Sequence, residues 1–332
     1  MAEINVTKKM KDKHLKYWEN NILPKLNQLD SIRRLNDYIK QKTSDKKYKK
    51  CKKDYKKYLD MVSCILQNYH KLAVGDVDEL KGLYEDIKKL EQGIVEWSCY
   101  SKLIINLLGY EKFSSIGYNK NEIAQFNKND EITRWSPYTL IKLSGVKNCP
   151  YCNRQYISLL YTKKGKLRPD LDHFLPKSVY PCFSMSLYNL VPVCKFCNSS
   201  LKLSKDFTFE SANPFVDSFN DILKFDLEFT SNVNDTILKV LPVNKKAVKF
   251  IEEMMIEEQY KLHLDVALDL IRKSLMYPEE LLNRMKGEMK IQNYELFKED
   301  LFGYISDNKI CKDTPLGKFK TDLAQSLGLY KK

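Results

Sequence analysis

No stretch of this chain is long and apolar enough to cross a bilayer. The hydrophobic stretch Leu103–Leu108, interrupted by Asn106, falls far short of the ~20 residues that a membrane helix needs. The opening MAEINVTKKMKDKH lacks the apolar core of a secretion signal. Internal repeats and low-complexity linkers are also missing, which argues against independent modules strung like beads. Histidine is scarce, with 4 in 332 residues, so each place where one stands beside another reactive side chain is informative. These absences predict a cytoplasmic protein in which 9 cysteines are unlikely to pair as disulfides, so their spacing is read first as metal ligation or burial.

The remaining composition is that of a folded chain, with 43% hydrophobic and 30% charged residues. Lys+Arg exceed Asp+Glu by 56 to 43, a formal charge of +13, which makes polyanions natural partners for at least one face. The densest basic run, residues 44–57, offers Lys46, Lys47, Lys49, Lys50, Lys52 and Lys53 to a phosphate backbone. The plainer reading of that run is a solvated helix start or loop.

Apolar residues recur every three to four positions at Leu29, Ile32, Leu35 and Ile39, then at Tyr55, Leu59, Val62, Leu66 and Tyr69, and again at Leu80, Leu83, Ile87 and Leu90. That period predicts a helical region over residues 1–140. From about residue 141 the character changes. QYISLLYT (155–162), the turn KKGK and LRPDLDHF (167–174) read as a β-hairpin, and a second hairpin is expected from 222–230 to 236–243. Helical packing surfaces return over 245–275. The expected fold class is α+β: a small central core over 141–206, between a helical region and a mixed hairpin and helical region over 207–332.

Cys149-Pro-Tyr-Cys152 and Cys194-Lys-Phe-Cys197 are both C-x-x-C. A tight turn of this spacing aims two thiolates at one ion while its amides hydrogen-bond to the sulfurs, so two of them predict a tetrahedral structural zinc site. A redox site would need only one pair in a βαβ setting. Cys51, Cys64, Cys99, Cys182 and Cys311 lack such partners and read as small buried or half-buried residues. His14, His70 and His263 read about as well as plain surface or satisfied core residues as they do as functional ones.

Between the knuckles lie Asp172 and His173, and Asn198 directly follows the last thiolate. With four cysteines filling the zinc tetrahedron, this carboxylate and imidazole are free for other work, and a hard carboxylate suits Mg²⁺ or Mn²⁺. The run CPYC … DHFLPK … YNLVPVCKFCNSSLK, residues 149–202, resembles the HNH endonuclease motif in its zinc-knuckle form, built on a ββα-metal core. With DHFLPKS, YNLVPVCKFCNS and NPF at 213–215, it is most similar to the HNH nuclease subunits of Septu-type antiphage defence systems, which accompany an ATPase.

That resemblance implies Asp172 and Asn198 as Mg²⁺ ligands, His173 as general base, and Asn189 as the residue that braces the loop and orients the histidine. Asn198 stands where the namesake pattern has a histidine, a familiar variant. It further implies a nucleic-acid-cutting effector, DNA favoured over RNA, with an ATPase partner subunit. RNA, including tRNA, stays open as substrate, and oligomerisation is also open. Lys177 and Lys202 are candidate phosphate contacts, with solvated lysines as the alternative; Tyr188 and Phe196 are expected to pack in the small core. A non-catalytic zinc-stapled binding or assembly module is the competing reading, and it requires no joint presence of Asp172, His173 and Asn198.

Overall fold

A computed structural model describes residues 4–29, 32–42, 52–117, 123, 134–203, 205, 207–218, 222–230, 235–307, 311 and 313–330. The three apolar runs of the N-terminal region form helices Ile32–Lys42, Tyr55–Gln67 and Val77–Glu91. Helix Tyr55–Gln67 buries Tyr55, Tyr58, Met61, Val62 and Ile65, a stripe at helical spacing; of the expected run only Tyr55 and Val62 belong to it, while Leu59 and Leu66 are half-buried and Tyr69 opens the next helix. Helix Val77–Glu91 begins at a capping box: Asp76 accepts from the amide of Glu79, and the Glu79 carboxylate accepts from the amide of Asp76. A further helix, α1 (Lys8–Asn21), buries His14 and Trp18. Most of the basic run 44–57 lies outside the described residues, and Lys53 is exposed.

Among the described residues, three two-stranded antiparallel ladders accompany the helices, so the fold is mixed α+β. The expected first hairpin exists only as a short ladder, β1 (Leu160–Tyr161) with β2 (Lys166–Leu167). The expectation that its second arm runs on through residue 174 is corrected. Pro169 has no N–H to donate to a ladder, and beyond it β3 (Asp170–His173) pairs with β4 (Leu190–Val193). The second hairpin forms in the expected place, β5 (Leu223–Glu228) with β6 (Ile237–Pro242). Along β5 buried residues alternate with more exposed ones, as a half-covered strand requires. Helices Lys245–Glu253, Ile256–Lys261 and Leu264–Met276 follow.

One cluster of buried apolar side chains takes in Trp18, Tyr58 and Tyr100, then Phe174 and Leu190, then Phe207, Phe250 and Phe319. The segments 1–140, 141–206 and 207–332 thus contribute to a single core. Cys182 and Cys311 are buried and Cys64 is half-buried, none of the three in a disulfide. Cys99 is buried but disulfide-bonded, which corrects its reading as an unpaired residue. Cys51 lies outside the described residues. No helix among the described residues is long and apolar enough to cross a membrane.

Candidate metal centre and catalytic cleft

The two C-x-x-C turns converge. Ligand atoms of Cys149, Cys152, Cys194 and Cys197 all lie within 4.8 Å of one another, and all four residues are buried. A tetrahedron with Zn–S bonds of ~2.3 Å has sulfurs ~3.8 Å apart, which lies inside the 4.8 Å bound on this cage. The first turn closes through the Asn153 amide on the Cys149 carbonyl at 2.8 Å, and Asn153 then adopts φ 49°, a left-handed conformation that asparagine tolerates. The amide of Cys194 donates to Cys149 Sγ at 3.3 Å and that of Cys197 to Cys194 Sγ at 3.5 Å. Four thiols in so small a dry volume cannot all ionise unaided. Hydrogen bonds from the other three push Cys194 below its ordinary pKa, whereas burial pushes Cys149 well above it. A dication removes that conflict, so the donor set suits a structural metal such as zinc.

Strand β4 runs directly into Cys194, and Cys197 opens a π-helical turn, Cys197–Lys202. Hydrogen bonding from i to i+5, seen where the Leu203 amide meets the Asn198 carbonyl at 3.2 Å, widens the turn. Residues four apart then stand nearly above one another, which sets Asn198 and Lys202 along β3. There Asp170 and Asp172, two apart on a strand, point to the same side. Asn198 Nδ2 donates to Asp170 at 3.0 Å. Because a carboxylate only accepts, this bond fixes the amide orientation and leaves Asn198 Oδ1 to face elsewhere as a hard oxygen donor.

Lys202 corrects its expected role. It is 1% exposed, pairs with Asp172 at 3.1 Å and donates to the His173 carbonyl at 2.6 Å. It is a buried strut, not a solvated lysine or a rim contact. Asp172 also accepts from the Tyr151 hydroxyl at 2.6 Å. Burial pushes the Tyr151 phenol well above its ordinary pKa, with the Asp172 charge adding to the effect, so it stays protonated and donating.

His173 ends β3, where the ladder stops. Its Nε2 lies 2.9 Å from the Ser184 carbonyl. A carbonyl can only accept, so Nε2 carries the hydrogen and Nδ1 keeps the lone pair. The Tyr110 ring packs edge-on at 4.2 Å between centroids. Burial, helped by the charges of Lys177 and Lys202 against the Ser184 bond, depresses the imidazole from 6.5 to about 3. The histidine is therefore neutral.

Asn189 lies beneath the cleft and ties its loop. Its Oδ1 accepts from the Leu175 amide at 2.7 Å, and its Nδ2 donates to the carbonyls of Leu175 and Phe183 at 3.2 and 2.9 Å. Phe183 adjoins Ser184, so this amide fixes the segment that holds His173. The same segment is anchored from outside: His14 Nε2 and Trp18 Nε1 both bond the Met185 carbonyl, at 2.7 and 3.0 Å, while Trp135 donates to His14 Nδ1 at 2.9 Å. His14 is thus a satisfied core histidine. His70 is exposed, and His263 accepts from Arg154 at 2.9 Å.

Asp172, His173, Lys177, Asn198 and Lys202 all line one open cleft of about 310 Å³. The Lys177 ammonium stands at its edge, 4.7 Å from the Tyr110 ring centroid. Tyr188 packs on Phe215 at 5.2 Å as expected, but Phe196 is 63% exposed, because the middle of the second C-x-x-C turn faces outward. Sequence reasoning missed Asp170, Tyr151, Ser184 and Tyr110. Only Asp170 carried a signal, its i, i+2 spacing from Asp172.

No family model matches this chain, and no solved structure matches it. Over 83 residues, 24% of the chain, it is 32% identical to "Protein ea31" of Escherichia phage lambda. That match spans about a quarter of the relative's own length, 25%.

Proposed function

We propose that this chain is a metal-dependent endonuclease of the HNH type, with a zinc-stapled ββα-metal core over 141–206, cutting nucleic-acid phosphodiester bonds. The observation that carries the reading is the convergence of Asp172, His173 and Asn198 on one open cleft beside a buried tetrathiolate cage. The donor chemistry fits a hard dication: the Asp172 carboxylate and the Asn198 amide belong to residues that line the cleft, and each Asp172 oxygen has two acceptor sites to share among its partners. Asp172 and Asn198 would hold Mg²⁺ or Mn²⁺, which supplies neutralisation of the scissile phosphate and the departing 3′-oxygen.

The remaining work belongs to the chain's own groups. His173 Nδ1 accepts the proton of the attacking water, with Ser184 holding the ring in the required tautomer. An imidazole near 3 is a weak base, but a phosphate entering the cleft opposes the lysine charges and raises its affinity for that proton. Asn189 keeps the supporting loop in place, and Lys177 meets a non-scissile phosphate at the edge. DNA is the favoured substrate, with RNA and tRNA as alternatives; a defence role beside an ATPase subunit extends the same proposal.

One observation favours a second reading, a non-catalytic zinc-stapled binding module: Tyr151 and Lys202 already satisfy Asp172 without a dication. Incubating native protein and His173→Ala with plasmid DNA and with total RNA, with and without Mg²⁺ or Mn²⁺, separates the two. The nuclease reading requires metal-dependent cutting that His173→Ala loses. Equal cutting by both proteins, or none even with the partner subunit present, contradicts it.

A further inference from the structure

A second hollow, of about 550 Å³, opens along helix Trp97–Leu108 and shares Lys177 and Ser178 with the cleft. Its size lies in the range of small-ligand sites. Trp97, Ser101 and Ile105, four apart along the helix, form one wall. Trp97 is held firmly: its Nε1 donates to the Ser178 carbonyl at 2.8 Å, and the Ser101 hydroxyl donates to the same oxygen at 3.3 Å. The indole thus spends its one polar group on the ridge between the two hollows and offers the second one an apolar ring.

The remaining lining is suited to a nucleotide. Lys102 and Lys177 offer charge to phosphates, while the Asn106 amide and the Glu111 carboxylate offer donors and acceptors to a base edge. Resting on the nuclease reading above, we infer that this hollow seats one unpaired nucleobase of the substrate strand, stacked on Trp97, beside the phosphate to be cut. A base within a duplex has both faces covered by its neighbours, so only a single strand, loop or frayed end can supply it. The substrate class is accordingly single-stranded or locally unpaired nucleic acid.

The chain has 3 tryptophans. Trp18 is 0% and Trp135 6% exposed, leaving Trp97 as the partly exposed one, so emission quenching reports this hollow. A short labelled single strand is titrated, without added divalent cation so that it stays intact, into native protein, Trp97→Ala and Trp97→Phe, with thermal unfolding confirming that both variants fold. The strand should quench native emission. Trp97→Ala should bind about tenfold more weakly or worse, and Trp97→Phe, which keeps a stacking face but loses the indole N–H, within about threefold of native. Native affinity in Trp97→Ala, or equal losses in both variants, overturns the inference; equal losses would make Trp97 a brace for Ser178. If native protein cuts nucleic acid while Trp97→Ala binds normally, this inference falls and the nuclease reading stands. If native protein does not bind the strand and does not cut even with the partner subunit present, both fall.

Discussion

Replacing Lys202 by methionine removes the ammonium from a site that is 1% exposed while nearly preserving side-chain length. Asp172 then keeps only the Tyr151 hydroxyl, and the His173 carbonyl loses its 2.6 Å donor. Breaking a buried pair from one side costs about 3–5 kcal/mol. The retained Tyr151 bond moves Asp172 to the lower end of that range, and the orphaned carbonyl adds about 1 kcal/mol. The expected loss is therefore about 4 kcal/mol, a large share of the 5–15 kcal/mol typical of a domain. Urea unfolding of the zinc-loaded protein measures it. Adding Asp172→Asn removes the uncompensated charge and should recover about 2 kcal/mol, a coupling that neighbours in contact show and distant residues do not. A loss under about 1 kcal/mol for Lys202→Met, or simple additivity in the double variant, would mean that the lysine sits in water and that the strut does not exist.

Three further outcomes follow from the same geometry. Burial holds His14 down to about 4, so the folded protein leaves it neutral while the unfolded chain protonates it below about 6.5; this contribution to stability is whole above 6.5 and fades towards 4, reaching a loss of about 2 kcal/mol at pH 5. Urea midpoints across that window should fall for native protein and fall less steeply for His14→Gln. Asn189→Ala leaves one amide and two carbonyls of the 175–183 loop without their partner, and should cost about 2–4 kcal/mol in equilibrium unfolding; a change within about 0.5 kcal/mol would deny its bracing role. Metal analysis should find one zinc per chain, released by chelators only as the fold is lost, and much reduced in Cys152→Ser.

Much of this architecture is readable before any coordinates. The hairpin Leu223–Glu228 with Ile237–Pro242 follows from alternation, and the tetrathiolate cage from two short spacings. The strand Asp170–His173 was legible as a strand but not its partner. Alternation names the buried face, whereas Pro169 and the long return through Leu190–Val193 decide which neighbour completes the ladder. Lys202 misleads for a related reason. A lysine in a polar run reads as solvated, and its burial depends on a carboxylate thirty positions away that only the π-turn brings beside it. Tyr151 carried no signal either, since the residue between two thiolates reads as turn filling until its hydroxyl meets Asp172.

The central claim is that the zinc-stapled turn sets Asn198 Oδ1 and the Asp172 carboxylate around a common dication. Titrating Mn²⁺ into zinc-loaded protein and counting free Mn²⁺ by electron paramagnetic resonance tests it without reference to turnover. Native protein should bind one Mn²⁺ per chain, and Asn198→Ala, which leaves the Lys202 strut intact, should bind it at least about tenfold more weakly. Identical Mn²⁺ binding by the two proteins would contradict the account.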